Sequence, residues 1–276
     1  MSDCFDVELN EGVAHLRLNR PDARNSLGPA FWSELPATVR ALDVDGRTRV
    51  LVISSTGAHF TAGLDLAVLE EGGLFGNGGG EPGRARAQVR EGIRRFQDAF
   101  TALEETRFPV VAAVQGGCVG GGLGLVSACD LRYASADAFF LLGETNLGIT
   151  ADVGQLQRLP RVMPEGVVRE LAYRGHRLDA SRAAQVGFVN QVFADHEALL
   201  AGVLAIASEI ASKSPLAVWG AKRAIDYARD HTVADGLEQV ALWQAAMYHR
   251  TDSAEAVGAR RDGRTPTYAD LPPRVD

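Results

Sequence analysis

The sequence predicts an α/β fold, and three observations carry that prediction. Val50–Ser54 (VLVIS) and Pro109–Gln115 (PVVAAVQ) are short, continuous apolar runs rich in β-branched residues, the pattern of strands buried on both faces of a parallel sheet. Stretches of helical character lie between and after them, the order of βα units with right-handed crossovers. From Pro164 onward the chain reads as mostly helical, apart from Phe188–Phe193 (FVNQVF).

Taken in order, Val13–Leu18 alternates apolar and polar residues between Asn10–Gly12 and Asn19–Pro21 and reads as a strand. Pro29 suits a first helical turn and opens a helix over Pro29–Leu42. After the strand Val50–Ser54, the segment Gly72–Gly83 is rich in glycine and lacks periodicity, so a loop is expected, then a helix over Ala85–Thr106. The strand Pro109–Gln115 runs into Gly116–Gly124, a helical stretch toward Cys129 and a short strand at Leu131–Tyr133. Ser214–Pro215 forms an N-cap and N1 pair, with helices expected at 215–230 and 232–250. The division is a core over residues 1–195 and a helical region over 196–276, with no long linker between them.

The bulk composition narrows the function. The chain has 276 residues, 46% hydrophobic and 23% charged, enough apolar material for one large domain or a domain with an appendage. Its net charge of −7 lacks the basic field of a nucleic-acid partner. Three cysteines, Cys4, Cys118 and Cys129, form neither a disulfide framework nor a zinc pattern. The N-terminal MSDCFDVELN has no apolar signal region, no run of eighteen apolar residues suggests a membrane span, and the C-terminal LPPRVD is not a peroxisomal signal. A cytoplasmic protein without metal is the expectation.

The strongest local signal is VQGGCVGGGLGLVSACD, Val114–Asp130, where five glycines fall within the seven residues 116–122 between a strand and a helix. Glycine lets backbone approach a ligand closely, and a helix start presents unpaired N–H groups. An oxyanion or a phosphate could use such a site; so could a tight turn without function. No GxxxxGK[ST] and no GxGxxG fingerprint after the first strand is found, which leaves the carbonyl oxyanion as the better reading. HFTAGLDL, His59–Leu66, adds a second turn that could supply the second N–H donor such a hole needs, with Asp65 as its anchor; a plain helix N-cap is the alternative. Cys118 reads as a small packing residue and His59 as a loop cap, since no triad or metal spacing surrounds either.

Taken together, LNRPDARNSL (Leu18–Leu27), FTAGLDL (Phe60–Leu66), PVVAAVQGGCVGGG (Pro109–Gly122), ACDLRYAS (Ala128–Ser135), ETNLGITADVGQLQRLPR (Glu144–Arg161), GFVNQVF and KSPLAV resemble the enoyl-CoA hydratase/isomerase (crotonase) family, in order and over nearly the whole chain. The resemblance implies a crotonase-like spiral of ββα units, a C-terminal helical region that covers the site and forms trimers or hexamers, and an acyl-CoA thioester substrate with coenzyme A as its only cofactor-like part. It assigns the oxyanion donors to the N–H groups of Leu64 and Gly121. Of the two glutamates of a typical hydratase, one matches Glu144 and the other falls on Gly124, so that acid is missing. GITADVGQLQRLP is similar to Δ3,5-Δ2,4-dienoyl-CoA isomerases, whose acids match Glu144 and Asp152, eight residues apart. Two separated carboxylates suit a proton taken from C2 and one delivered to C6. The third acid of that branch also falls on Gly124. An isomerase is therefore expected, with a hydratase of fatty-acid β-oxidation, or a catalytically weak acyl-CoA-binding protein, as alternatives. Coenzyme A contacts are expected at Ala23, Arg24, Ala62 and Lys222, the last equally readable as a solvated helix lysine. Trp219, Tyr227, Trp243, Met247 and Tyr248 are large for a lone appendage and suggest subunit contacts, an intramolecular helical core being the alternative.

Overall fold

A computed structural model of the chain describes residues 4–65 and 81–274. In chain order its strands are β1 (Phe5–Asn10), β2 (Val13–Leu18), β3 (Val50–Ser55), β4 (Val110–Val114), β5 (Gly117–Val119), β6 (Leu131–Ser135), β7 (Phe139–Leu141), β8 (Arg177–Asp179) and β9 (Gln191–Phe193). The helices are α1 (Phe31–Asp45), α2 (Pro82–Glu104), α3 (Gly121–Ser127), α4 (Gln155–Arg158), α5 (Glu165–Arg174), α6 (Ala180–Gln185), α7 (His196–Ala211), α8 (Pro215–Ala228), α9 (Val233–Met247) and α10 (Arg250–Asp262).

Six strands form one sheet in the order β1-β2-β3-β4-β6-β9. All neighbours in it are parallel except β1 and β2. Every residue of β3 and β4 is buried, and successive side chains leave on opposite faces. Leu51, Ile53, Val110 and Ala112 join a core with Leu16, Phe31, Trp32, Phe100 and Leu103 beneath α1 and α2. Val50, Val52, Val111 and Ala113 meet Leu199, Val203, Ala207 and Ala211 on the other face. Those last four recur every fourth residue, so α7 lays one apolar stripe on the sheet. The first helix after residue 195 thus closes the second face of the core.

Three differences from the sequence reading have local causes. β1 was not expected; it pairs antiparallel with β2 through a two-residue turn, Glu11–Gly12, with φ of +48° and +82°, the backbone of a primed hairpin turn. Helix α2 starts at Pro82 rather than Ala85, because the Glu81 carboxylate caps the N–H groups of Gly83 and Arg84 at 2.8 and 3.1 Å. The loop expected at 72–83 otherwise lies outside the described residues. Finally, Gly116–Gly124 is not a single turn. It contains β5, which with β7 and β8 forms a second sheet of three strands.

The C-terminal residues return to the core. Asp270 and the Tyr268 carbonyl bond Arg49 at 2.9 and 2.6 Å. The buried pair Asp43–Arg107 (3.1 Å) takes up Arg274 at 2.7 Å. Among the described residues no single helix is long and apolar enough to cross a membrane, and no cluster of His, Cys, Asp and Glu could hold a metal.

Candidate active site

Two turns far apart in sequence are laced together edge to edge. Thr61 donates its N–H to the Gly117 carbonyl (3.0 Å) and accepts from the Val119 N–H (3.1 Å). Its hydroxyl reaches the Asn25 carbonyl at 2.6 Å and accepts from the Gly63 N–H at 3.0 Å. A second bridge joins Leu27 to Leu64, made by the N–H groups of Leu27 and Asp65. That bond pattern leaves the Leu64 N–H unused, with no hydrogen bond among the described residues. Asp65 holds the turn from below, accepting from Ser26 at 3.1 Å and standing 3.7 Å from Arg20.

Gly121 opens α3, so its N–H has no i−4 carbonyl to pair with. It faces Leu64: a Cβ on Gly121 would stand 3.9 Å from the Leu64 nitrogen. Gly63 makes that approach possible. Its φ is +83°, and any Cβ there would come within 2.5 Å of the Val119 carbonyl oxygen and 3.4 Å of the Gly121 nitrogen. Two free N–H donors from separate loops therefore share one small space, the arrangement an oxyanion hole requires.

Glu144, the first residue of the 3-10 turn Glu144–Leu147, lies beside that space. Its Oε1 accepts a 2.8 Å hydrogen bond from Gln155 Nε2 and would be 3.3 Å from a Cβ on Gly120. Its Oε2 is buried without a partner. Burial, chiefly, holds the carboxyl above its ordinary pKa, and the charge of Asp152 adds to the rise. Asp152 is exposed, and partial desolvation raises its carboxyl as well. Its backbone is fixed: Gln97 donates to the Asp152 carbonyl at 2.7 Å, and Arg158 reaches the next carbonyl, Val153, at 3.2 Å while paired with Glu104 at 2.6 Å.

No acid occupies the third position. A Cβ on Gly124 would meet Phe100 Cε2 at 2.9 Å and Val153 Cγ2 at 3.1 Å. Phe100 continues into Trp32, with ring centroids 5.4 Å apart, and Trp32 into Phe96, at 4.5 Å. Hydrocarbon fills the place of the carboxylate. Beside Glu144 opens a cavity of about 340 Å³, lined by Leu142, Ala151, Leu156, Pro160 and Val168.

The residues expected to contact coenzyme A divide. Ala23, Arg24 and Ala62 lie together, with the Ala62 N–H donating to the Arg24 carbonyl at 2.9 Å, and Arg24 is exposed. Lys222 does not fit either expectation. It is 7% exposed, and its ammonium donates to the carbonyls of Leu103 (3.2 Å) and Phe108 (3.1 Å), to Thr106 Oγ1 (3.0 Å) and to Asp130 Oδ2 (2.9 Å). A lysine saturated from within has no donor left for a phosphate and is not a solvated surface group. His59 Nδ1 accepts from the Gly117 N–H at 3.0 Å, a cap on the glycine turn. Cys118 is fully buried, its thiol pushed well up by desolvation, and packs. Sequence reasoning passed over Gln155, whose type at the start of a helix carries no signal of burial; it is 1% exposed.

A family model described as enoyl-CoA hydratase/isomerase matches residues 8–270. The mitochondrial Δ3,5-Δ2,4-dienoyl-CoA isomerase of Mus musculus is 40% identical over 94% of this chain and 80% of its own length. The peroxisomal enzyme of the same description from Arabidopsis thaliana is 41% identical over 95% and 94%. Among solved structures, the enoyl-CoA hydratase from Bacillus anthracis superposes with a TM-score of 0.86 at 32% identity, covering 96% of this chain and 99% of that one.

Proposed function

Because the chain belongs to the enoyl-CoA hydratase/isomerase family, we propose that it is an acyl-CoA isomerase that converts a 3,5-dienoyl-CoA to the 2,4-dienoyl-CoA. The thioester oxygen accepts from the Leu64 and Gly121 N–H groups. One carboxyl of the pair Glu144 and Asp152 takes the C2 proton, and the electron pair spreads from C2 to C6 as the oxygen gains charge. The other carboxyl delivers a proton to C6, the double bonds settle at C2 and C4, and the carbonyl re-forms. One proton leaves and one arrives, so no oxidant, metal or separate cofactor enters the scheme, and coenzyme A is part of the substrate. Carboxyls held above their ordinary range retain a proton more readily, which favours the acid role.

The observation that carries this reading is the pair of carboxyls, Glu144 beside the hole and Asp152 close enough for its charge to act on it. Hydration needs a second glutamate to hold water, and the wall at Gly124 has none. The Ala23–Arg24 and Ala62 edge is proposed to meet coenzyme A, with Arg24 facing its phosphates. We also propose a homotrimer or hexamer, supported by the exposed apolar residues of α9, and a cytoplasmic location. The relatives named above are mitochondrial and peroxisomal, and fractionation of the source cell tests the location. The activity test is to supply a 3,5-dienoyl-CoA and follow the absorbance of the conjugated product. Rapid appearance of that product with little water addition to a 2-enoyl-CoA is expected; rapid hydration with no isomerisation overturns the proposal.

A further inference from the structure

Gln155 is tied to three parts of the site at once. Its Nε2 donates to Glu144 Oε1 at 2.8 Å and to the Gly120 carbonyl at 3.2 Å. Its Oε1 accepts from the Val153 N–H at 3.2 Å. The partners fix which end of the amide is which: an N–H must meet the oxygen, and a carbonyl must meet the nitrogen. Gly120 immediately precedes the hole donor Gly121, and Val153 immediately follows Asp152. A single buried side chain therefore spans the base, the backbone of the hole and the segment of the second acid.

We infer that Gln155 is the positioning residue of this site, holding Glu144 by Oε1 so that the carboxyl keeps one orientation in fixed relation to the Gly120–Gly121 backbone. The inference rests on the reading of Glu144 as an acid–base group. The geometry supports it in two ways. A carboxylate with one oxygen pinned and the other free has a single orientation to offer, and pre-set orientation is worth a large share of a rate. A donor on Oε1 also favours the charged form, in the same direction as the backbone N–H groups of Glu144 and Gly143, which oppose the burial that raises Glu144.

Gln155→Met keeps the length and removes both donors; Gln155→Glu keeps the shape and places a second carboxyl against Glu144. The Glu144 carboxyl is followed by isotope-edited infrared titration, with Glu144→Gln identifying its band, in the free protein and so independently of any turnover. Both variants are expected to move the Glu144 titration to higher pH, by roughly one pH unit for the methionine, and to lower kcat by ten-fold or more with KM changed less than three-fold. The limb of the pH–rate profile that Glu144→Gln removes should move the same way. An unmoved Glu144 titration in either folded variant overturns the inference, as does a loss confined to KM or to thermal stability. Should the wild-type protein fail to isomerise dienoyl-CoA while the titration moves as expected, the reading of the reaction falls and the positioning role stands.

Discussion

A carboxylate oxygen buried without a partner, as Oε2 of Glu144 is, is favourable only to a reaction. The folded-state pKa is raised, so stability is complete below the unfolded carboxyl value, about 4.3, and is lost as pH rises through the folded value. Glu144→Gln should then stabilise the fold at pH 7, with the gain vanishing on acidification below about pH 4, while isomerase activity falls by roughly 10² to 10⁴-fold; melting curves across pH and initial rates check both. Gly124→Glu, which supplies the missing glutamate, should cost about 1–3 kcal/mol by overpacking against Phe100 and Val153 and add no hydratase activity, as read by denaturant unfolding and a 2-enoyl-CoA assay. Lys222→Met should cost on the order of 3 kcal/mol, since Asp130 loses its ion-pair partner, and leave acyl-CoA affinity unchanged by calorimetry. The contrast between these residues shows what a sequence can tell. Glu144 and Asp152 sit in a stretch whose order matches a family pattern. Gln155 and Lys222 owe their roles to atoms 11 and 92 or more residues away, and no local pattern encodes that.

At the scale of elements, the hole is a product of strand edges. Leu64 contributes to its bridge through the groups of its neighbours, and its own N–H is spare. Leu64→Ala should therefore keep activity within a few-fold. Leu64→Pro, which removes the N–H, should reduce kcat by roughly 10² to 10³-fold while the bridge bonds persist; steady-state kinetics and circular dichroism of the two variants separate chemistry from folding. The strands that position these turns differ in how plainly they are written. β3 and β4 are buried on both faces and stand out as unbroken apolar runs. β5, β7 and β8 have three residues each, too few for any period to show, and β5 is concealed inside a glycine cluster that seemed to be one turn. β1 (FDVELN) alternates apolar and polar residues at every step, so its period-2 signal is legible in the sequence.

For the molecule as a whole, the division at residue 195 describes sequence character better than structure, because α7 completes the core sheet. Beyond it the large aromatics separate. Trp219 and Trp243 pack edge to face at 4.9 Å within the chain, so they serve the intramolecular contact. Leu237 and Leu242 on α9 are 63% and 57% exposed, and Tyr248 just beyond it 63%. If these are subunit contacts, Leu237→Asp with Leu242→Asp should convert the oligomer to a monomer by light scattering, with the secondary structure intact. The sequence could name the aromatics and not their partners, since burial by a neighbouring helix and burial by another subunit demand the same residue types.

The hydrocarbon that Phe100 and Val153 press against Gly124 also bears on by-products. A conjugated 2,4-dienoyl thioester is itself an electrophile, open to attack at C3 by any water held in line. A carboxylate placed to hold such water against C3 would open a route to the hydrated by-product. Here the nearest wall is aromatic ring and valine methyl, which neither bind a water nor take its proton. If Glu144 and Asp152 are the acid–base pair, the apolar wall at Gly124 should keep the ratio of hydrated to isomerised product low, as chromatography of the product mixture would read.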